Sequence, residues 1–242
     1  HGHGPSQQVV GGRLFIEGMN SLSARDVYTG RILWKREFED LGTYKIYFDE
    51  TYANTPLSTE YNQVHTPGAH ARGTNYVATE DGVYLVIGDR CLMLDPGNGE
   101  TVCEFALPAN RDGRVPDWGY IGVYHNLLLA GTGFGNYSER LGYKYEPSEK
   151  KTFAWAPDFS GSLGLTAFDR YSGEILWQIK ANHSFLHNGI VAGGGRIYLL
   201  DKLPKRVEEQ NRRRGTDDTA TYRLVAVTAH SGQTLWTSDK VF

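Results

Sequence analysis

Methionine and cysteine each occur only twice in the 242 residues, and no apolar run approaches the ~20 residues a membrane-crossing helix requires. Neither sign of charge is in excess. A formal net charge of -3 gives no general attraction to nucleic acid or to an anionic membrane, so we expect neither as a partner. The opening residues, His1 to Gln8, have no basic start and no apolar core, and we expect no signal peptide among them. Two cysteines cannot supply a disulfide framework. Cys91 and Cys103 fall on two strands expected to pair, with Cys103 opposite Leu92 rather than Cys91, which predicts two reduced, half-buried thiols.

What the chain does have is glycine, at 29 positions, and tyrosine, at 15, a composition that favours short strands and tight turns over helices. Length alone allows one large all-β domain or two ordinary ones. Internal repetition decides for the former. Four segments share two short apolar strands, a turn and a third strand. The first runs through Arg13–Gly18, Ser21–Asp26, Gly30 and Trp34, and the second through Gly82–Val86, Leu92–Asp95, Gly99 and Cys103. The third holds Leu127–Ala130, Leu165–Asp169, Gly173 and Trp177; the fourth holds Arg196–Leu200, Leu224–Thr228, Gly232 and Trp236.

Each recurring position has a physical reason. Asp26, Asp95 and Asp169 open a turn, where a carboxylate accepts hydrogen bonds from the N–H groups just ahead. Thr228 takes that place in the fourth segment and should cap more weakly. Gly30, Gly99, Gly173 and Gly232 stand where the chain leaves the turn, which calls for positive φ. A large flat side chain at Trp34, Trp177 and Trp236 suits the gap between neighbouring blades, and Cys103 predicts a looser contact at the second.

The segments Thr29-Gly30 to Trp34 and Ser172-Gly173 to Trp177 resemble the pyrroloquinoline-quinone-type, or quinoprotein alcohol dehydrogenase-like, β-propeller repeat. Ser231-Gly232 to Trp236 follows closely, and Asn98-Gly99 to Cys103 departs at its last position. The resemblance implies an all-β propeller of four-stranded antiparallel blades, typically eight to a ring, of which this chain supplies four. It also implies a periplasmic or extracellular protein. The superfamily holds quinone-dependent alcohol dehydrogenases and also a non-catalytic scaffold of outer-membrane protein assembly, so fold leaves function open.

An extended stretch precedes each trio of strands: Gln7–Val10, Thr74–Ala78, Tyr120–Val123 and Gly189–Ala192. With these as innermost strands the chain divides into blades at about 1–38, 72–106, 117–182 and 183–242, one propeller segment over 1–242. Four blades leave open faces, so we expect self-association, neighbouring blades in a longer protein, or a tightly closed small ring. Insertions at 39–71, 133–160 and 202–221 join outermost to innermost strands or the second strand to the third. Strand alternation sends both kinds of connection to one face, the usual place for function on a rigid scaffold.

The residues arriving at that face form the candidate site: His3, Ser6, Arg72, Trp118, His187 and Asn188. Arg72 offers charge and Trp118 a stacking surface to a small polar ligand, while the aromatic insertions suit a protein partner. An equally good account has these side chains filling a channel and satisfying backbone groups. Histidines cluster near the innermost strands (His1, His3, His65, His70, His183 and His187), but without a carboxylate or cysteine partner they do not specify a metal. The quinone enzymes resemble one another in a vicinal Cys-Cys disulfide, a stacking tryptophan, a catalytic aspartate and a calcium site. No Cys-Cys occurs here and no aspartate-rich loop, so the cofactor pyrroloquinoline quinone lacks its key residues. The expected function is a non-catalytic propeller module binding a small ligand or a protein, against the alternative of a quinone- or metal-dependent oxidoreductase with its site at the channel mouth.

Overall fold

The computed structural model describes residues 6–18, 20–41, 75–134, 161–203, 212–213, 215 and 222–239. The chain forms two compact units, His1–Gly122 and Val123–Phe242. In the first, β1 (Gln8–Val10), β2 (Arg13–Gly18), β3 (Ser21–Asp26) and β4 (Ile32–Glu37) make a four-stranded antiparallel meander in sequence order. A second meander follows, of β5 (Tyr76–Ala78), β6 (Val83–Ile87), β7 (Arg90–Leu94) and β8 (Thr101–Ala106). The first meander spans 8–37 and the second 76–106, each in strand order.

The third strand of each meander is covered on both faces, so its small and apolar side chains are buried in succession. Ser21 to Ala24 of β3 and Cys91 to Leu94 of β7 are all buried. The core of the first unit gathers Phe15, Leu22 and Trp34 from one meander and Tyr76, Val83, Leu85 and Leu94 from the other. Polar side chains also tie the meanders together, and Arg36 donates to the Gly99 carbonyl and the Thr101 hydroxyl at 2.8 and 2.7 Å. Gln8 mimics a strand: its amide donates to the Tyr76 carbonyl at 2.9 Å and accepts from the Ala78 N–H at 2.8 Å. The buried Tyr76 hydroxyl donates towards the Ser6 and Phe15 carbonyls, at 2.8 and 3.0 Å. Burial, followed by the nearby Glu17 carboxylate, pushes this phenol well above its ordinary pKa, which keeps it a donor.

Among the described residues from 118 on there is one seven-stranded antiparallel sheet in sequence order, beginning with β9 (Trp118–Tyr124). It continues through β10 (Leu127–Thr132), β11 (Gly161–Asp169), β12 (Ile175–Gly193), β13 (Arg196–Asp201), β14 (Arg223–Thr228) and β15 (Thr234–Ser238). The boundary expected at 182/183 falls inside β12, a single strand of 19 residues. Its first part pairs with β11 from Ile175 to Lys180, and its last part pairs with β13 from Ile190 to Gly193. Between these parts the strand runs through Gly189, and Phe185 pairs with Ser162 on one side and with Asp201 on the other. There the fully buried Asp201 carboxylate accepts from the N–H groups of Asn182 and His183, at 2.8 and 2.9 Å, and pairs with Arg223 at 2.8 Å. These bonds hold the backbone extended where the ladders change partner.

One register expectation needs correction. Cys103 lies opposite Met93, and Cys91 opposite Phe105, because a bulge between Met93 and Leu94 inserts Val102. Both thiols are free as expected, but Cys91 is fully buried rather than half-buried. The bulge recurs in every repeat, shifting register at Ala24/Arg25, Ala167/Phe168 and Ala226/Val227. A bulge exchanges the faces of the residues beyond it. It therefore leaves Leu33, Val102, Leu176 and Leu235 exposed and places the next residue opposite the third strand.

Candidate functional site

Three of the repeat turns are each organised by one carboxylate. Asp26 Oδ1 accepts from the Tyr28 and Thr29 N–H groups, at 3.2 and 2.7 Å, and from the Thr29 hydroxyl at 2.7 Å. Asp95 accepts from Gly97 and Asn98, and Asp169 from Tyr171 and Ser172. The hydrogen bonds from Thr29 hold the Asp26 carboxyl below its ordinary pKa, and those from Ser172 and Tyr171 do the same for Asp169. In the fourth turn Thr228 makes one side-chain bond, to Ser231 at 2.6 Å, consistent with a weaker cap. Gly30, Gly99, Gly173 and Gly232 all have positive φ, between 65 and 79°.

Each docked indole rests on the turn of the following repeat. Trp34 donates its Nε1–H to the Pro96 carbonyl at 3.0 Å, and Trp177 to the Ala229 carbonyl at 2.8 Å. Both acceptors stand one residue after the turn-opening position. A Cβ at Gly99 would meet the Trp34 ring at 2.7 Å, and one at Gly232 the Trp177 ring at 2.6 Å. The glycines thus serve two purposes, of which the sequence showed only the φ requirement. Across the sheet, Trp34, Trp177 and Trp236 lie opposite Ala24, Ala167 and Ala226. In the second repeat the sizes are exchanged, with Cys103 opposite Met93 and its Sγ 3.8 Å from the Met93 sulfur.

The candidate ligand residues divide. His3 and Arg72 lie outside the described residues, as do most of the insertions at 39–71, 133–160 and 202–221. Ser6 and Asn188 are exposed. Trp118 is buried, with its indole N–H on the Asp89 carbonyl at 3.2 Å and its backbone N–H on Gly88 at 3.0 Å. His187 is also buried, its Nε2 2.9 Å from Ser162 Oγ. Ser162 is fully buried, and the Phe134 ring lies 6.2 Å from the imidazole, so the pair clamps β11 to β12. Trp118 and His187 brace the scaffold, and neither presents a ring to solvent. Among the described residues no three His, Cys, Asp or Glu side chains stand together as metal ligands.

Sequence reasoning missed a polar recess of about 490 Å³ in the first unit, lined by Gly88, Asp89, Arg90, Glu104 and Val115. Trp118 pins its Gly88–Asp89 wall through the two bonds above. No motif marks it, because its charged groups come from a hairpin and a neighbouring strand that share no spacing rule.

Comparison with known proteins gives a family and a fold. The family model that matches, over residues 89–241, is described as outer membrane protein assembly factor BamB. Among solved structures, the quinohemoprotein alcohol dehydrogenase from Comamonas testosteroni aligns at 14% identity and TM-score 0.56, covering 97% of this chain and 34% of that one. Quinohemoprotein alcohol dehydrogenase ADHIIG from Pseudomonas putida HK5 aligns at 13% identity and TM-score 0.54, with the same coverage. BamB from Moraxella catarrhalis aligns at 12% identity and TM-score 0.46, covering 96% of this chain and 50% of that one. The chain therefore spans half or less of the structures it resembles. Such identities speak for the fold alone, a β-propeller of antiparallel blades. No curated protein matches.

Proposed function

The chain belongs to the pyrroloquinoline-quinone-type propeller repeat family described as outer membrane protein assembly factor BamB, and from that membership we propose that it is a non-catalytic binding module for a protein partner, acting in the periplasm or outside the cell. The family match over residues 89–241 carries the reading. The use of the repeat side chains supports it: the turn carboxylates, the glycines and two of three repeat indoles are engaged in joining strand to strand and repeat to repeat. Recognition then falls to residues outside the repeat turns and indoles: the insertions at 39–71, 133–160 and 202–221, together with Arg72, Ser6, Asn188 and His3. No helix among the described residues is long and apolar enough to cross a membrane.

Titration calorimetry of the purified chain against soluble portions of outer-membrane assembly components tests this. Arg72→Ala, and a chain with 139–155 shortened to a Gly-Ser link, should each bind at least about tenfold more weakly with an unchanged unfolding midpoint. Full binding by both variants would move the site off the insertion face. A stoichiometric quinone or metal in the purified protein would replace the non-catalytic reading with the oxidoreductase one.

A further inference from the structure

The chain carries four sulfur atoms, in Cys91, Cys103, Met93 and Met19, and the first three gather on one face of the β7–β8 pair. Cys91 and Met93 stand two residues apart on β7 and so share a face, and Cys103 of β8 lies opposite Met93. The Met93 and Cys103 sulfurs are 3.8 Å apart. Cys91 is fully buried, Met93 is 8% exposed and Cys103 is half-buried, so the group is enclosed yet reached from solvent at one side. Gly82 seats the thioether: a Cβ there would meet the Met93 methyl at 2.7 Å. None of the three follows the repeat. Counted from the turn-opening residue, the other three repeats have Leu at the place of Cys91, Ala at that of Met93 and Trp at that of Cys103. An exchange of volumes accounts for a larger residue at 93 facing a smaller one at 103. It does not account for a thiol at 91, where Leu fits three times, nor for sulfur at all three positions.

We propose that Cys91, Met93 and Cys103 form a binding site for a soft monovalent cation, Cu(I), with two thiolates and one thioether as ligands. Two sulfurs each about 2.3 Å from one ion, at the roughly 120° of trigonal coordination, stand about 4 Å apart, a spacing the Met93–Cys103 pair already has. Cys91 is diagonal to Cys103 across the ladder. Diagonal side chains are too far apart for the ~3.8 Å Cβ separation of a disulfide, but near enough to share an ion placed between them. Thiolate and thioether together select Cu(I), whereas hard ions prefer oxygen. Zinc favours a tetrahedral shell, and among the described residues no His, Asp or Glu joins these thiols to complete one. Burial, followed by the neighbouring Cys103, raises the Cys91 thiol well above its ordinary pKa, and burial raises Cys103 too, so neither ionises unaided at neutral pH. Cu(I) takes the place of both thiol protons, which pass to solvent, and no electron is transferred. A shell closed by three sulfurs leaves no position open for a substrate, so the site holds the ion and is not the channel-mouth metal of an oxidoreductase.

Anaerobic titration of the reduced, whole chain with Cu(I), in competition with a chromophoric Cu(I) chelator, tests the proposal. One ion should bind per chain, and X-ray absorption should show sulfur neighbours alone, at about 2.3 Å. Cys91→Ser and Cys103→Ser should each weaken binding at least about a hundredfold, and Met93→Leu, which keeps the volume, at least about tenfold. Met19→Leu should leave the affinity unchanged, and an excess of Zn(II) should leave the copper in place. Circular dichroism checks that the variants fold, and Met93→Leu decides the matter if a serine variant does not. Absence of binding overturns the proposal, and so does copper held by nitrogen, as histidines elsewhere in the chain would hold it. Binding that survives Cys103→Ser, full affinity in Met93→Leu, or displacement by Zn(II) overturns it equally.

Discussion

Replacing Gly232 by alanine separates the two demands placed on the repeat glycine. The backbone there has φ 65°, a region that costs an L-residue about 1–2 kcal/mol. The added Cβ would also fall 2.6 to 2.8 Å from three atoms of the Trp177 indole, about 1 Å inside normal carbon contact. The indole is held by its bond to Ala229 and by Ala167 opposite, so it cannot swing aside freely. Overpacking of this kind costs about 1–3 kcal/mol, for a total near 3 kcal/mol. Gly30→Ala meets the same backbone demand at φ 71° with open space around it, and should cost only about 1–2 kcal/mol. Urea unfolding of both variants, and of Gly232→Ala in a Trp177→Ala background, measures the difference. With the indole gone the alanine should cost little beyond its backbone strain, giving a coupling of about 2 kcal/mol. Equal costs at Gly30 and Gly232, or additivity with Trp177→Ala, would refute the argument that the glycine is there to seat the ring.

Other perturbations test the remaining joints. Trp177→Ala, and likewise Trp34→Ala, should lose about 3–5 kcal/mol in urea melts at low protein concentration, and Trp236→Ala less than half as much because it is already part-exposed. Asp201→Ala should cost about 3–5 kcal/mol and raise hydrogen exchange at the Asn182 and His183 amides, since it strands Arg223 and two backbone donors together. Asp26 and Asp169 titrate below their ordinary values when folded, so they stabilise above the unfolded carboxyl pKa, and that stability disappears as pH falls through the folded value. Asp26→Asn and Asp169→Asn should therefore flatten the fall of the urea midpoint below about pH 4; an unchanged acid slope would contradict the turn assignment.

The strands and turns were legible because their rules are local. Asp26, Asp95 and Asp169 each announce a turn, and a glycine four residues on announces its exit. The register of the outermost strands was not, because the bulge at Leu33, Val102, Leu176 and Leu235 has no local marker and displaces every pairing beyond it by one. That displacement is why Cys103 faces Met93. The volume exchange between Met93–Cys103 and the three Ala–Trp pairs becomes visible only once the register is known. Sequence offers Trp118 and His187 as candidate ligand groups and does not report that their side chains engage Asp89 and Ser162. The union of the last two repeats was hidden too, since the buried Asp201 that keeps β12 extended lies 18 and 19 residues beyond the amides it holds.

That continuous strand sets how the molecule comes apart. In the first unit the two meanders share no backbone ladder among the described residues and are joined through side chains, those of Gln8, Trp34, Arg36 and Tyr76 and a common apolar core, so either ladder can loosen without breaking a strand pairing of the other. Along β12 the outer edge of one repeat and the inner edge of the next are the same peptide chain, and opening either end pulls on bonds that serve both. The third and fourth repeats should then open as one cooperative block with a common exchange free energy, whereas the first and second keep separate ones. A repeat array whose members are ordinarily interchangeable has here two members fused into a single unit of stability, and a cut or an inserted linker between Asn182 and His187 would break the cooperativity of both.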